Sequence, residues 1–362
     1  MTGFLPGLDL SAAYYAEVVG PLLASEYPGL RYAAARLGQG SEVQGLDTER
    51  SADHDWGPRL LIALDSADAA ARGAEVTAML AERLPATFRG YPTAYPLTAD
   101  PGGAARHRVE VAGLGEWLTG WLGFDPRDGV GLLDWLATPA QRLAEITGGR
   151  VFHDGLAAAD GSGGLDAARA ALAWYPRDVW CYILACQWQR VAQEEGFPGR
   201  CAEAGDELGS AVVTARLARD LMRLALLMHR RYPLYSKWLG TALARTPGAA
   251  SLGDPLAAAV AAVGWPDRQR ALSQAYEAAA RMHNDLGLTE PLDPAVRGFY
   301  DRPYQVLEAG RFVAALRDQV GDPQVRGLPL SGAADQLTDN TDAMGDIGTL
   351  RAVCAASYGI SG

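Results

Sequence analysis

Lysine is almost missing from this chain: of 32 basic residues, Lys237 is the only one and the other 31 are arginine. The drift toward Arg, Ala and Gly has the look of GC-rich coding, so the one retained lysine marks a position where a guanidinium was not used. Cysteine is scarce too. Cys181, Cys186, Cys201 and Cys354 form no C-x-x-C pair, which argues against a zinc ribbon or a disulfide framework. The five histidines are scattered, so a His-rich metal site is not expected, and His153-Asp154 lacks the upstream helical histidine that a phosphohydrolase would need. Long apolar runs are absent. The longest, Leu256 to Trp265, has ten residues, against the roughly 18 of a membrane span. The first basic residue is Arg31, so the basic start of a signal peptide is missing and a cytoplasmic address is expected. An excess of positive charge is also missing. The net −11 disfavours nucleic acid as a partner, because grip on a phosphate backbone needs basic surface.

What is present describes a folded protein. Hydrophobic residues make up 49%, and Gly plus Pro number 63 of 362, below the share at which low-complexity disorder is the better reading. This length fits two or three domains. Apolar residues at helical spacing predict a helix over Asp9 to Ala24. Strands are expected over Tyr32 to Leu37, Arg59 to Leu64 and His107 to Val111, with a helix over Ala67 to Arg83. Strands interleaved with helices give an α+β chain: an N-terminal α/β domain with a short mixed sheet, residues 1–125, followed by a mostly α-helical domain, residues 126–320. Helices are expected there from Pro176 to Gln193, Asp206 to Arg230, Pro266 to Leu286 and Pro303 to Val320. Residues 321–362 form an acidic, Gly-rich tail with a short terminal helix. Its aspartates, Asp335, Asp339, Asp342 and Asp346, read first as a solvated face, then as a docked cap or a metal-binding loop.

One stretch concentrates chemistry: Gly38 to Arg59, GQGSEVQGLDTERSADHDWGPR. Gly38 and Gly40 free the backbone immediately after a strand, so that amide groups can approach a ligand. Ser41 then opens a short helix whose N–H groups favour phosphate. Eleven residues separate Ser41 from Asp53-His54-Asp55. On an extended segment Asp53 and Asp55 would share one face, and two adjacent carboxylates repel unless a cation sits between them. An all-oxygen donor set suits Mg²⁺. Glu110, between Val109 and Val111, offers a third carboxylate, and a neighbouring strand would bring it to a pair of ions of the phosphoryl-transfer kind.

Gly40-Ser41, Asp53-x-Asp55 and a strand-borne Glu110 together resemble the signature of the polymerase-β-type nucleotidyltransferases, in the branch of minimal bacterial and aminoglycoside enzymes. With WYPRDVW, AGDELGS and RYPLYSKW, the chain further resembles a bacterial domain-of-unknown-function family within that superfamily. The wider resemblance covers about residues 30–120 and the narrower one extends to about 320. The resemblance implies transfer of a nucleoside monophosphate from an NTP, ATP being the expected one, to a small hydroxyl compound, with Mg²⁺ and release of pyrophosphate. Gly40 and Ser41 would hold phosphates, and Asp53, Asp55 and Glu110 the metal. His54 departs from the apolar residue usual at the centre of Asp-x-Asp. The negative chain is compatible with a cationic, aminoglycoside-like acceptor. The alternative is an antitoxin-like or regulatory protein of the same fold that binds a macromolecular partner.

Other features have plainer readings. Asp206-Glu207 reads as a helix cap before a catalytic base. Arg216, Arg219 and Arg223 share a helix face, expected to be solvated or else to meet phosphate. Trp174, Trp180 and Trp188 are expected in the core. Lys237, flanked by aromatics in YPLYSKW, is expected to place a compact ammonium against a nucleotide phosphate near Asp53 and Asp55.

Overall fold

The computed structural model describes residues 4–53, 55–96, 103–158 and 163–359. The chain divides into two compact units, residues 1–134 with 142–173 and residues 135–141 with 174–362. The boundary expected from the sequence lies at 125/126. Apart from residues 135–141, the first unit runs on to residue 173, because a late strand returns to the sheet there.

The first unit opens with α1 (Gly7–Tyr14), which continues through a π-helical turn, Tyr15–Val19, into α2 (Gly20–Glu26). Leu10, Tyr14, Val19 and Leu23 form its buried stripe. The main strands are β1 (Tyr32–Arg36) and β2 (Leu60–Leu64), with α3 (Ser66–Arg83) following β2. The Asp65 side chain caps α3 by accepting the Asp68 N–H at 2.9 Å. Two small ladders come next, β3 (Thr87–Phe88) with β4 (Tyr91–Pro92) and β5 (Ala94–Tyr95) with β6 (Arg106–His107). They lead to β7 (Val109–Gly113) and α4 (Leu114–Leu122), which ends at Gly123 with φ +86°. The last strand, β8 (Arg150–Asp154), pairs with β1.

The four-stranded sheet has the order β7-β2-β1-β8. Strand β1 runs antiparallel to β2 and β8, while β2 and β7 are parallel, so the sheet is short and mixed, as expected. Period-2 alternation divides its faces. Tyr32, Ala34, Leu60, Ile62, Leu64 and Val109 pack in one core with the α1–α2 stripe and with Val76 and Leu80 of α3. The opposite face carries Ala33, Ala35, Leu61 and, on β7, Glu110.

Along the chain, α5 (Leu132–Ala137) and α6 (Ala140–Thr147) fall where the division runs, and α7 (Leu165–Ala171) is the last helix of the first unit. The second unit is helical: α8 (Arg177–Glu194), α9 (Phe197–Glu203), α10 (Glu207–Met228), α11 (Ser236–Ala244), α12 (Ala250–Ala261), α13 (Trp265–Asp285) and α14 (Gly310–Asp318). Trp180 and Trp188 are buried in it, and Trp174 lies against Tyr232 with ring centroids 4.8 Å apart. The Asp206 carboxylate accepts the Gly209 N–H at 2.7 Å, so it caps α10. The arginines of α10 are not one solvated face. Arg216 pairs with Glu194 and Arg219 with Asp339, and the buried Arg223 donates to the Asp335 carbonyl at 2.6 Å. The acidic tail is docked within this unit, where Tyr182 donates to Pro329 O and Tyr358 to Gly332 O, both at 2.7 Å.

The helix expected over Pro303 to Val320 forms only from Gly310. Glu308 has φ +56°, and the buried Glu195 carboxylate accepts the N–H groups of Leu307 at 2.7 Å and Ala309 at 2.9 Å, which holds the segment in a loop. Burial pushes the Glu195 carboxyl from the usual 4.5 up to about 7, against the pull of those N–H groups. Buried His283 is pushed down to about 4; its Nδ1 accepts from Trp188 Nε1 at 3.2 Å and would lose that bond on protonation. A raised carboxyl favours the fold below about pH 4.5 and loses that contribution as pH rises through about 7, whereas a lowered histidine contributes above pH 6.5 and loses it as pH falls through about 4. The two slopes oppose each other. In urea unfolding, the wild-type stability minus that of Glu195→Gln should therefore fall as pH rises from 4.5 to 7. A constant or rising difference would contradict the assignment.

Candidate functional site

Strand β1 ends in Arg36, and the next six residues form a tight glycine turn. Gly38 has φ +81° and Gly40 φ +143°, before a single 3-10 turn, Ser41–Gln44. Arg36 folds back under this turn. Its Nε and Nη2 donate to Glu42 Oε1 at 2.9 and 2.5 Å, and the remaining N–H groups reach the carbonyls of Leu37 and Gln39. Arg36 is 4% and Glu42 2% exposed, so this is a buried ion pair whose guanidinium organises the backbone around it. Gly40 is required twice over. Its φ is one that L side chains avoid, and a Cβ there would lie 2.4 Å from Glu42 Oε2 and 2.5 Å from Arg36 Nη2.

The aspartates are not placed as expected. Instead of an extended segment, Glu49–Asp53 is a 3-10 helix, opened where Ser51 Oγ accepts the Thr48 N–H at 3.0 Å. Asp55 is left-handed with φ +46°. Strand alternation therefore does not put Asp53 and Asp55 on one face; a helical turn followed by a left-handed residue redirects the chain. Trp56 fixes the new direction, buried with its Nε1 donating to Asp47 Oδ2 at 3.1 Å. His54 and the Asp53 side chain lie outside the described residues. The Asp55 carbonyl accepts from Arg59 Nη1 at 2.8 Å.

Glu110 is exposed on β7, in register with Leu61 of the parallel β2. The same register sets Arg59 beside Arg108, one step before the Leu60–Val109 pair. Alternation places Leu61 and Glu110 on one face of the two strands, and Arg59 and Arg108 each immediately precede a strand. With Leu37, Gly38 and Gln39 at the end of β1, they line a cleft of about 320 Å³. Trp117 and Trp121, one turn apart on α4, form its wall, with rings 5.7 Å apart and nearly parallel at 10°. The Arg142 guanidinium lies 4.8 Å from the Trp121 ring.

The cleft thus brings Glu110 together with Gly38 and Gln39 of the turn, while Gly40, Ser41 and Asp55 are not among the residues that line it. It also contains residues that the motif reading missed: Arg36, Arg59, Arg108, Trp117 and Trp121. The signal for two of them was in the sequence, since Arg59 and Arg108 each precede a strand residue of matching parity. Among the described residues no group of three or more His, Cys, Asp and Glu side chains is placed to hold a metal ion. Lys237 belongs to the second unit, where it is exposed in the first turn of α11 with its Nζ 5.0 Å from the Trp238 ring. The second unit has its own small cavity, about 20 Å³ between Tyr175, Gln187, Arg223 and Asp335, which has room for about one water.

Residues 135–239 match a family described as a domain of unknown function, DUF4037. The residues that line the cleft lie before that stretch. No curated protein and no solved structure matches the chain.

Proposed function

We propose that this protein is a metal-dependent nucleotidyltransferase of the polymerase-β type, which moves a nucleoside monophosphate from an NTP, with ATP as the expected donor, to a hydroxyl of a small molecule. The observation that supports this reading best is one cleft that joins a glycine turn, held rigid by the buried Arg36–Glu42 pair, to a strand carrying the exposed carboxylate of Glu110. In this reading Gly40 and Ser41 present backbone N–H groups to the nucleotide's phosphates. In this reading the Asp53, Asp55 and Glu110 carboxylates would supply the all-oxygen donors that suit Mg²⁺. Bound there, Mg²⁺ would neutralise charge on the triphosphate.

Glu110 orients the acceptor hydroxyl and takes its proton as the acceptor oxygen bonds to the α-phosphorus. The bond from that phosphorus to the bridging oxygen breaks, and pyrophosphate leaves. Trp117 and Trp121 supply an apolar wall that keeps water from competing. Glu110→Gln keeps size and hydrogen bonding but loses the charge. It should lower kcat by at least about a hundredfold while the melting temperature stays close to wild type. A variant that loses only thermal stability would make Glu110 a surface charge and remove it from the reaction.

A further inference from the structure

We propose that the β2–β7 end of the cleft binds a phosphate group carried by the acceptor, so that the molecule receiving the nucleotide is an anionic hydroxyl compound rather than a polycation. This rests on the nucleotidyl-transfer reading. Arg59 and Arg108 each immediately precede one of two neighbouring strands, β2 and β7, and line the cleft that also contains Glu110. Like charges in that arrangement repel, unless an anion lies between them. Among the described residues Glu42 pairs with Arg59 but not with Arg108. It is taken up by Arg36 at 2.5 Å and reaches Arg59 only at 3.9 Å.

Among the described residues Arg108 forms no ion pair. One of its nitrogens donates to the Tyr95 carbonyl, and the guanidinium lies 4.8 Å from the Tyr95 ring. Its Nε is buried without a hydrogen-bond partner, as is the hydroxyl of Tyr95, a residue outside the cleft lining. An N–H donor with no acceptor, on a cleft-lining guanidinium beside a second one, is what an oxyanion would satisfy. The nucleotide's own phosphates are met elsewhere in this reading. They lie at the glycine turn after β1, and β7 is two strands away, about 10 Å at the usual strand spacing. Glu110 follows Arg108 by two residues and lines the same cleft, so an acceptor whose phosphate meets the arginines can present its hydroxyl to that carboxylate.

The test is calorimetric titration of the full chain with inorganic phosphate and, separately, with MgATP. Arg108→Gln should weaken phosphate binding at least tenfold, Arg108→Lys should weaken it less, and both should leave MgATP binding within twofold. Melting temperature checks that each variant is folded, and the lysine variant keeps the comparison available should the glutamine variant unfold. Phosphate binding that is unchanged in a folded Arg108→Gln would overturn the site. Phosphate and MgATP affinities that fall together would assign the arginines to the nucleotide and overturn the acceptor's role. A wild-type chain that binds phosphate through Arg108 but binds no MgATP would instead overturn the nucleotidyl-transfer reading, and the acceptor's role with it.

Discussion

Asp53→Asn and Asp55→Asn should each abolish NTP turnover, with losses of several powers of ten, while the melting temperature stays close to wild type. The backbone explains why the fold should survive at Asp55. This residue sits at φ +46°, a left-handed conformation that Asn adopts as readily as Asp. Its hydrogen bond to Arg59 uses the main-chain carbonyl, which the substitution keeps. What disappears is the anionic oxygen, and an amide is a poor replacement in a site built to hold a divalent cation. Retention of more than about a tenth of the wild-type rate, a barrier change below ~1.4 kcal/mol, would remove that carboxylate from the reaction.

The second large effect is on stability. Glu42→Gln leaves the Arg36 guanidinium, 4% exposed, without the carboxylate it pairs with among the described residues. Breaking a buried pair by removing one partner costs about 3–5 kcal/mol. In a unit of this size that corresponds to a fall in melting temperature on the order of 10 °C. Activity should fall as well, because the same guanidinium holds the carbonyls of Leu37 and Gln39 in the turn. Replacing both partners, as in Arg36→Met with Glu42→Leu, should recover part of the stability and none of the activity. A Glu42→Gln variant within about 1 kcal/mol of wild type by denaturant unfolding would show that the pair does not hold the turn.

Two strands were legible as short apolar runs: β1 and β2 lie within a residue of the expected Tyr32 to Leu37 and Arg59 to Leu64. Glu110 was legible as a charge with apolar neighbours on both sides, and the parallel pairing of β7 with β2 gives it a place in the cleft. The stretch before β2 was not. Asp-x-Asp alternation carries no information about a 3-10 turn, and that turn is fixed by Ser51 with Thr48 and by Trp56 docking on Asp47. The Arg36–Glu42 pair was hidden for a related reason. Two opposite charges six residues apart look like surface residues until the turn between them folds both inward. The lost first half of the Pro303 to Val320 helix has a tertiary cause, since Glu195 holds Leu307 and Ala309 from more than a hundred positions away. Local propensity cannot register such a constraint.

The most direct test follows the phosphorus. The full chain is incubated with Mg²⁺, a small-molecule extract, and ATP labelled at either the α- or the γ-phosphate. Nucleotidyl transfer predicts that the α label appears in a new small-molecule adduct, in amounts matching the pyrophosphate that carries away the γ label. A γ label in the adduct, or ATP consumed to inorganic phosphate with no α-labelled adduct, would contradict it.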